Sequence, residues 1–338
     1  MGIDAPTTTS RVLPLSEIPS WLETWWAGES SPGPVQQLPG YARAVARAHP
    51  DRRVDIAVHA GLLSVFLIDP DRATCLFAGI PALGGPADDR VRELADLVRE
   101  QARVPLVYFP HVTFPPPGGL PSWQRLDGPL VRWSDRGLTL EERVRTRYGS
   151  RAARQWKRFE ASGLHIAPAT GDEAVDALAT VERRSWKAFC GQSMHHRDNQ
   201  FDLYANLLRH SLSSLDVVWN ATRPIAYRLD AHFGRSVMCL KWSYDEEYRR
   251  CSPGFYLLTK RLVQRWGDTD LDSIDLFGSP DRLKDLISTD RVARFDLAWP
   301  PGPAVDALRA ERTGFDRQVR ENHQAGRGVR HLYQTRAS

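Results

Sequence analysis

The sequence predicts a mixed α/β fold with a mixed sheet, built as two domains. Its second half runs helix, helix, three strands, helix and strand, which is not the strict alternation of a parallel sheet. A length of 338 residues favours two domains over one. The Pro-rich stretch FPPPGGLPSW is the strongest boundary signal, because clustered prolines and glycines interrupt helices and strands alike. We therefore expect a first domain over residues 1–130, a basic connecting helix over 131–163, and a second domain with a C-terminal helical tail over 164–338.

The first domain is predicted as one α/β unit. Apolar residues at helical spacing predict helices over Trp21–Trp26, Tyr41–His49 and Asp89–Ala102. Short apolar runs predict strands over Val54–Val58, Leu62–Ile68, Thr74–Ala78 and Val104–Val112.

The second domain carries the longer strands. After the basic helix, which Gly163 ends, the predicted helices are Asp172–Phe189, Phe201–Ser211 and Gly254–Trp266, with a loop over Gly191–Asn199. The predicted strands are LHIAPAT (residues 164–170), Asp216–Asn220, Ile225–Phe233, Ser236–Tyr244 and DSIDLFG (residues 272–278).

The segment RVRTRYGSRAARQWKR (Arg143–Arg158) carries seven basic residues and no acidic one. A solvated helix face is the ordinary explanation for such a cluster. The alternative is a surface for phosphates, either of a CoA-type donor or of an RNA. Helical spacing would place Arg147, Arg151, Arg154 and Arg158 on one face, which suits contact with a nucleic-acid backbone.

Composition excludes several classes of protein. With 42% hydrophobic and 25% charged residues, the chain is typical of soluble globular proteins. No apolar run approaches the roughly 20 residues that span a bilayer, and the N-terminus does not resemble a signal peptide. The four cysteines show no C-x-x-C spacing, which predicts reduced thiols and neither a disulfide framework nor a zinc site. We therefore expect a cytoplasmic protein without a membrane span or a metal.

The stretch SVMCLKWSYDEEYRRCSPGFYLLTKRLVQRW (residues 236–266) carries the clearest chemical signal. A long strand ends at Tyr244, and a short turn leads directly into a helix. Ser252 is a natural N-cap, Pro253 suits the first helical position, and Gly254 lets a ligand approach the backbone closely. The unpaired N–H groups and the dipole of such a helix start attract an anion. A plain cap without a ligand is the alternative.

Around this turn, the region from about Arg143 to Pro300 resembles the GNAT acyltransferases of the CelD-like type and their relatives, the Fem aminoacyl-tRNA-dependent transferases. In GNAT proteins the turn after the long strand carries an Arg/Gln-x-x-Gly-x-Gly/Ala pattern that cradles the donor's pyrophosphate. Here Arg249, Ser252 and Gly254 match it, with Ser252 in place of the first glycine. RPIAYRLDAHFG resembles the acceptor hairpin of this branch, and DSIDLFGSPDRLKDL its strand-Gly-x-x-x-x-Lys ending. The resemblance implies tandem GNAT-like domains, of which the C-terminal one carries the donor site.

The resemblance also implies the site residues. Those expected to bind the donor's phosphates are Arg249, Arg250, Ser252, Pro253 and Gly254. The reacting carbonyl is expected between Lys241–Tyr244 and Asp275–Gly278.

The candidate catalytic residues are Lys284, Tyr244 and Asp245. Lys284 matches a lysine that in Fem-type enzymes faces the reacting ester and stabilises its developing charge; an exposed lysine without a role is the alternative. Tyr244 either protonates the leaving group, orients the donor or only packs at the strand edge. For Asp245, shaping the turn is preferred to acting as the base.

The loop GQSMHHRDN places His195 and His196 side by side. Adjacent histidines point in different directions, and no carboxylate stands at ligand spacing, so a metal site is not predicted. The resemblance places this loop at the border of the acceptor site. Of the residues just before it, Trp186 is predicted in the core, with Arg184 and Lys187 on the surface.

The sequence therefore predicts an acyltransferase that forms an amide on a small amine or an amino-acid-like acceptor. The near-intact pyrophosphate turn makes acyl-CoA the preferred donor. Aminoacyl-tRNA is the alternative, favoured by the two-domain build, by Lys284 and by the basic segment 143–158. With acyl-CoA, the basic helix is expected to lie outside the turn and to touch at most the donor's far phosphate. A non-catalytic GNAT pair that only binds a ligand is a further alternative.

Overall fold

The computed structural model describes residues 10–20, 39–59, 62–76, 88–113, 119–132, 142, 144–146, 149–197, 199–233, 236–266, 271–278 and 282–335. The chain forms two compact units. The first comprises Met1–Asp127 and Val292–Thr313, and the second Gly128–Arg291 and Gly314–Ser338. Residues 292–313 therefore group with the first unit, although they follow most of the second along the chain. The domain boundaries given above remain a prediction.

Within its described residues, the first unit has the strand order β1-β2-β3-β4-β5-β12. These strands are Arg11–Pro14 (β1), Arg53–His59 (β2), Leu62–Ile68 (β3), Ala73–Cys75 (β4), Val107–Val112 (β5) and Asp290–Trp299 (β12). Neighbouring strands are antiparallel except for β4 and β5, which are parallel. Two helices, Pro39–Ala48 (α1) and Asp88–Ala102 (α2), accompany them.

Helix α2 packs on this sheet through one apolar face. Val91, Leu94, Ala95 and Val98 follow the spacing of a single helical stripe, and all four are buried. The buried Asp296 of β12 accepts hydrogen bonds from the Tyr108 hydroxyl of β5, at 2.6 Å, and from the His111 N–H, at 2.9 Å. A buried carboxylate is costly without such donors, so this arrangement holds β12 in register on β5.

The described residues of the second unit have the strand order β6-β11-β10-β9-β8-β7. These strands are Ser122–Arg132 (β6), His165–Ala169 (β7), Ser214–Asn220 (β8), Arg223–Phe233 (β9), Ser236–Tyr244 (β10) and Ser273–Asp275 (β11). Strands β7 to β10 form an antiparallel meander, whereas β10 and β11 are parallel.

Helices cover both faces of this second sheet. Among the described residues they are Ser150–Glu160 (α3), Gly171–Arg184 (α4), Trp186–Phe189 (α5), Gln200–Arg209 (α6), Pro253–Trp266 (α7) and Arg282–Ile287 (α8). The long helix Pro303–Thr335 (α9) follows β12 along the chain. Helices α4 and α6 share a core cluster with Tyr227 and Leu229 of β9. Helices α3 and α7 pack against Ala226 instead. Because consecutive strand residues point to opposite faces, α4 and α6 cover one face, and α3 and α7 cover the other.

The predicted mixed α/β fold class is confirmed, with differences in individual elements. The helix predicted over Asp172–Phe189 breaks at Ser185, whose extended backbone separates α4 from α5. The strand predicted over residues 272–278 is only three residues long, Ser273–Asp275. Trp21–Trp26 lies outside the described residues, as do Arg143 and Arg147 of the basic segment.

The structure bears on the expectations about a membrane span and about the cysteines. Across the described part of the chain, no helix combines the length and apolar character needed to cross a bilayer. All four cysteines are free thiols, two of them buried and two partly buried.

A hydrogen bond between α3 and α7 should be measurable in stability. The buried indole N–H of Trp156 donates to Thr259 Oγ1 at 2.9 Å, and that hydroxyl donates to the Phe255 carbonyl at 2.7 Å. Thr259→Val leaves the indole N–H buried without an acceptor, so we expect a loss of about 1–3 kcal/mol in the free energy of unfolding, measured by denaturant titration. In a Trp156→Phe background, which lacks the donor, the same substitution should cost less. Equal costs in both backgrounds would contradict this role.

Candidate active site

The turn between β10 and α7 is built around the carboxylate of Asp245. Its Oδ1 accepts the Glu247 N–H at 3.0 Å and caps a 3₁₀ turn over Glu246–Cys251. Its Oδ2 pairs with Arg223 at 2.7 Å and Arg184 at 3.5 Å. The side chain is only 3% exposed. Asp245 is thus placed to shape the turn, the role preferred above.

Helix α7 begins at Pro253, directly after Ser252 in the left-handed region at φ 53°. The first N–H groups of a helix have no intrahelical acceptor, and they favour an anion. Gly254 is required here by packing. A Cβ at this position would lie 2.8 Å from Cδ1 of Tyr244 and 3.0 Å from Cζ3 of Trp242. Because it has no Cβ, Gly254 lets α7 begin directly against the rings of Trp242 and Tyr244 on β10. The sequence did not predict this close contact.

A pocket of about 980 Å³ opens at this turn. It is bordered by the turn, by Trp242 and Tyr244, and by six arginines: Arg151, Arg158, Arg183, Arg184, Arg249 and Arg250. Arg184 pairs with Asp245. The other five arginines have no ion-pair partner among the described residues. The pocket therefore presents a surplus of positive charge, which suits a ligand with several phosphates.

Arg151 and Arg158 belong to α3, the described part of the basic segment. The expectation that this helix lies outside the turn is therefore wrong. Trp156 and Phe159 of α3 pack against the α7 side of the sheet, and this packing brings two of its arginines to the same pocket. Arg154 and Lys157 are exposed on α3 and do not line the pocket.

Strands β10 and β11 separate next to this pocket. Their parallel ladder covers only Ser236–Met238 paired with Ser273–Asp275. Beyond it, β10 has a bulge between Cys239 and Lys241, which bends the strand and redirects its side chains. The chain leaves β11 through a turn at Phe277 and Gly278. The gap lies where the resemblance puts the reacting carbonyl.

Lys284 borders this gap from α8. It is 9% exposed, and its Nζ donates to the Phe277 carbonyl oxygen. Leu283, its neighbour, lines the pocket. Lys284 is therefore not the exposed lysine of the alternative interpretation, and its ammonium is held beside the strand end.

A buried carboxylate, Glu182 of α4, organises the opposite face of the sheet. It is fully buried and accepts the Tyr227 hydroxyl at 2.5 Å and the Met194 N–H at 3.1 Å. The Lys187 ammonium lies 3.7 Å away. Burial raises the pKa of Glu182, but Lys187, Lys241 and the two hydrogen bonds outweigh it and lower the pKa below the ordinary value.

Two lysines near Glu182 have perturbed amines. Burial lowers the pKa of Lys187, and the positive charges of Arg197 and Lys284 lower it further. The negative charge of Glu182 raises it, but the pKa stays below its ordinary value. Burial, with the charge of Lys187, lowers the pKa of Lys241 to about 7. Lys187 also donates to the Trp242 carbonyl at 2.6 Å. The prediction that Lys187 lies on the surface is wrong, because after the break at Ser185 its side chain contacts the backbone of β10. Trp186, predicted in the core, is only partly buried.

The histidine loop is tied to the same carboxylate. Met194 opens the 3₁₀ turn Met194–His196, and its N–H is the one that Glu182 accepts. His196 Nδ1 lies 2.8 Å from Ser193 Oγ, and the His195 ring packs on Phe201 with centroids 4.3 Å apart. Within the described residues, no three His, Cys, Asp or Glu side chains converge as metal ligands would.

Comparison with known proteins agrees with this geometry. Residues 145–285 match the family described as acetyltransferase (GNAT) domain, and they contain the turn, the gap and the buried carboxylate. These residues form a GNAT acyltransferase domain. The chain is therefore an acyltransferase that carries a GNAT domain, as the resemblance implied. No curated protein sequence is significantly similar to the chain.

Solved structures resemble the chain in fold at low sequence identity. FemX has 10% identity and a TM-score of 0.57, over 88% of this chain and 99% of that one. L-PGS from Bacillus licheniformis has 11% identity and a TM-score of 0.55, over 87% and 96%. The C-terminal domain of a putative lysylphosphatidylglycerol synthetase from Agrobacterium fabrum has 14% identity and a TM-score of 0.53, over 79% and 90%. At such identities the similarity establishes the fold and nothing further.

The structure brings the predicted turn residues, Tyr244 and Asp245 to one pocket of the GNAT domain, and Lys284 to the gap beside it. Sequence reasoning missed the cluster around Glu182. A signal for it was present, because Lys241 is the one charged residue in the strand SVMCLKWSY. A charged side chain in a buried strand is costly unless an opposite charge or a hydrogen-bond partner lies next to it.

Gly254→Ala should displace the aromatic wall of the donor pocket. Overpacking of this kind costs about 1–3 kcal/mol, so we expect a lower free energy of unfolding and weaker binding of CoA in calorimetry. Gly314→Ala, in α9, is the matched control, because a Cβ there meets nothing within 4 Å. Wild-type stability and CoA affinity in Gly254→Ala would show that the aromatic rings move aside without consequence.

Proposed function

We propose that the protein transfers an acyl group from acyl-CoA to the amine of a small molecule or amino acid, forming an amide. The observation that carries the donor assignment is the set of five arginines around the turn that have no ion-pair partner among the described residues. CoA brings a pyrophosphate and a further phosphate, whose charges these arginines complement. The anion-binding start of α7 adds to the same preference.

The direction of the acyl arm follows from the gap between β10 and β11. When the pyrophosphate lies at Arg249 and Gly254, the acyl arm enters the GNAT domain through the gap beside Trp242. Lys284 stands at this gap with its ammonium on the Phe277 carbonyl. We assign it the stabilisation of the oxyanion that forms when the amine attacks the carbonyl. Tyr244, at the pocket wall, orients the donor.

Aminoacyl-tRNA is the second candidate donor, and a specific observation favours it. Arg154 and Lys157 are exposed on α3 outside the pocket, where a small donor would not need them. A nucleic-acid backbone along α3 would use both. The sequence resemblance to the Fem transferases favours the same alternative. Both donors are intracellular molecules, in keeping with the predicted cytoplasmic location.

The donor is tested by transfer assays with acetyl-CoA and with a mixture of charged tRNAs, the latter with and without ribonuclease. The acceptors are a panel of amino acids and simple diamines. Activity with acetyl-CoA that is indifferent to ribonuclease and to Arg154→Glu with Lys157→Glu supports acyl-CoA. Transfer that ribonuclease abolishes, that weakens steeply with salt and that the double variant loses supports tRNA. Binding of CoA without transfer from either donor would favour the non-catalytic alternative.

Arg249→Ala should weaken CoA binding without unfolding the protein. A charge-assisted hydrogen bond contributes about 1.5–3 kcal/mol, so calorimetry should show an affinity about ten- to a hundredfold lower. Arg209→Ala is the control, because Arg209 is exposed, pairs with Asp172 and lies outside the pocket. Equal CoA affinities in both variants would remove the phosphate role of Arg249.

Lys284→Met should lower kcat and leave CoA affinity nearly intact, because the oxyanion exists only during the reaction. The loss expected for one oxyanion donor is about 10²–10³-fold. Steady-state kinetics with acetyl-CoA and calorimetry of CoA binding separate the two effects. Weaker CoA binding with normal turnover at saturation would make Lys284 a phosphate contact instead.

A further inference from the structure

Among the described residues on the α4 face of the GNAT domain, four cations interact around the carboxylate of Glu182. Glu182 faces Lys187 and Lys241; Arg197 acts on both lysines, and Lys284 acts on Lys187. Tyr204 and Tyr227 pack nearby, and burial holds the pKa of each phenol above its ordinary value. The lysines and Arg197 repel one another, and this repulsion favours a neutral amine within the cluster.

Lys241 differs from the other two lysines in what its amine contacts. Lys187 donates to the Trp242 carbonyl, and Lys284 to the Phe277 carbonyl. For Lys241, the described residues provide no hydrogen bond and no ion pair to the amine. No described partner therefore has to be displaced before this amine takes up a proton.

Lys241 lies on the part of β10 that borders the gap next to the pocket. It follows the bulge of β10, on the segment that has already left β11. The next residue, Trp242, lines the donor pocket. Consecutive strand residues point to opposite faces, so the donor enters on the Trp242 side and Lys241 faces the cluster around Glu182.

We propose that Lys241 is the general base of the acyl transfer and takes the proton from the attacking nitrogen of the acceptor. The inference rests on the proposed function and adds a catalytic residue to it. A lysine amine that is half neutral at about pH 7 accepts a proton, whereas an ordinary lysine is fully charged there.

The step balances as follows. The acceptor nitrogen forms a bond to the carbonyl carbon, and Lys241 Nζ receives the proton that this nitrogen loses. The bond from the carbonyl carbon to the donor's sulfur then breaks, and the sulfur leaves with the electron pair. The ammonium of Lys241 returns the proton to that thiolate, so the products are the amide and free CoA, and the lysine is neutral again.

Glu182 and Lys187 are positioning residues in this scheme. The Lys187 ammonium, held between Glu182 and the Trp242 carbonyl, fixes the backbone next to Lys241. Its charge also disfavours a second ammonium close by, which favours the neutral form of the Lys241 amine.

The kinetic test uses acetyl-CoA with the best acceptor from the amine panel, at saturating concentrations. In the wild-type protein, kcat should rise with pH to a plateau above about 7. Lys241→Met should lose this dependence and lower kcat roughly 10²–10⁴-fold. Lys241→Arg should be equally impaired, because a guanidinium does not deprotonate. CoA affinity should stay at the wild-type value in both, and Arg209→Met, a surface cation, should behave as wild type.

A direct titration tests the same proposal without turnover. The chain has five lysines, so lysine labelled with ¹³C at Cε gives a simple spectrum in which Lys241→Arg identifies the Lys241 signal. That signal should titrate near pH 7 in the wild-type protein. An amine that stays charged above pH 9 would overturn the proposal whatever the kinetics show.

The remaining outcomes separate this proposal from the proposed function. No transfer by the wild-type protein from either donor contradicts the function itself, and the base with it. Normal wild-type transfer with an unimpaired Lys241→Met contradicts only the base. A raised KM for acceptors that carry a carboxylate, with kcat and its pH dependence unchanged, would make Lys241 a binding residue for that carboxylate and would also overturn the proposal.

Discussion

The buried carboxylate of Glu182 is the interaction on which the arrangement of the GNAT domain depends. An ionised carboxylate without water is costly unless donors surround it, and here the donors come from different parts of the chain. Tyr227 belongs to β9, Met194 to the histidine loop and Lys187 to α5. The hydrogen bonds and the ion pair of this one carboxylate therefore hold β9, the histidine loop and α5 against α4. Removing it would leave buried cations without a counter-charge, a larger penalty than losing one hydrogen bond.

The two faces of the sheet divide the chemistry between them. On the α7 side lie the turn, the aromatic wall and the arginines, which suit a donor that carries phosphates. On the α4 side lie the carboxylate and the perturbed lysines. The ladder between β10 and β11 ends after Met238, next to both environments. A strand gap is otherwise unfavourable, because it leaves backbone N–H and C=O groups without ladder partners. Here the Phe277 carbonyl accepts a hydrogen bond from the Lys284 ammonium instead.

Local signals explain why the turn before α7 was predictable. Pro253 occupies the first position of α7, a preference that depends only on neighbouring residues. The packing role of Gly254 was not predictable in this way, because the rings that leave no room for a Cβ belong to Trp242 and Tyr244 of β10. The helices and strands followed from periodicity for the same reason, with errors where tertiary contacts intervene. Ser185 breaks a helical pattern because its hydroxyl bonds the Glu182 carbonyl at 2.9 Å and its backbone turns the chain toward β10. No periodicity reveals such a break.

The sequence by itself determined the fold class, the GNAT resemblance, the turn at Ser252–Gly254 and the candidacy of Lys284. Only the tertiary structure decided that Arg151 and Arg158 share a pocket with that turn, and that Lys187 lies against the buried Glu182. It alone placed Lys241 beside Glu182, although they are 59 positions apart along the chain. The physical reason is that burial and charge pairing depend on distance in space. A perturbed amine is produced by neighbours that folding assembles, whereas a helix cap is produced by residues that the chain already holds together.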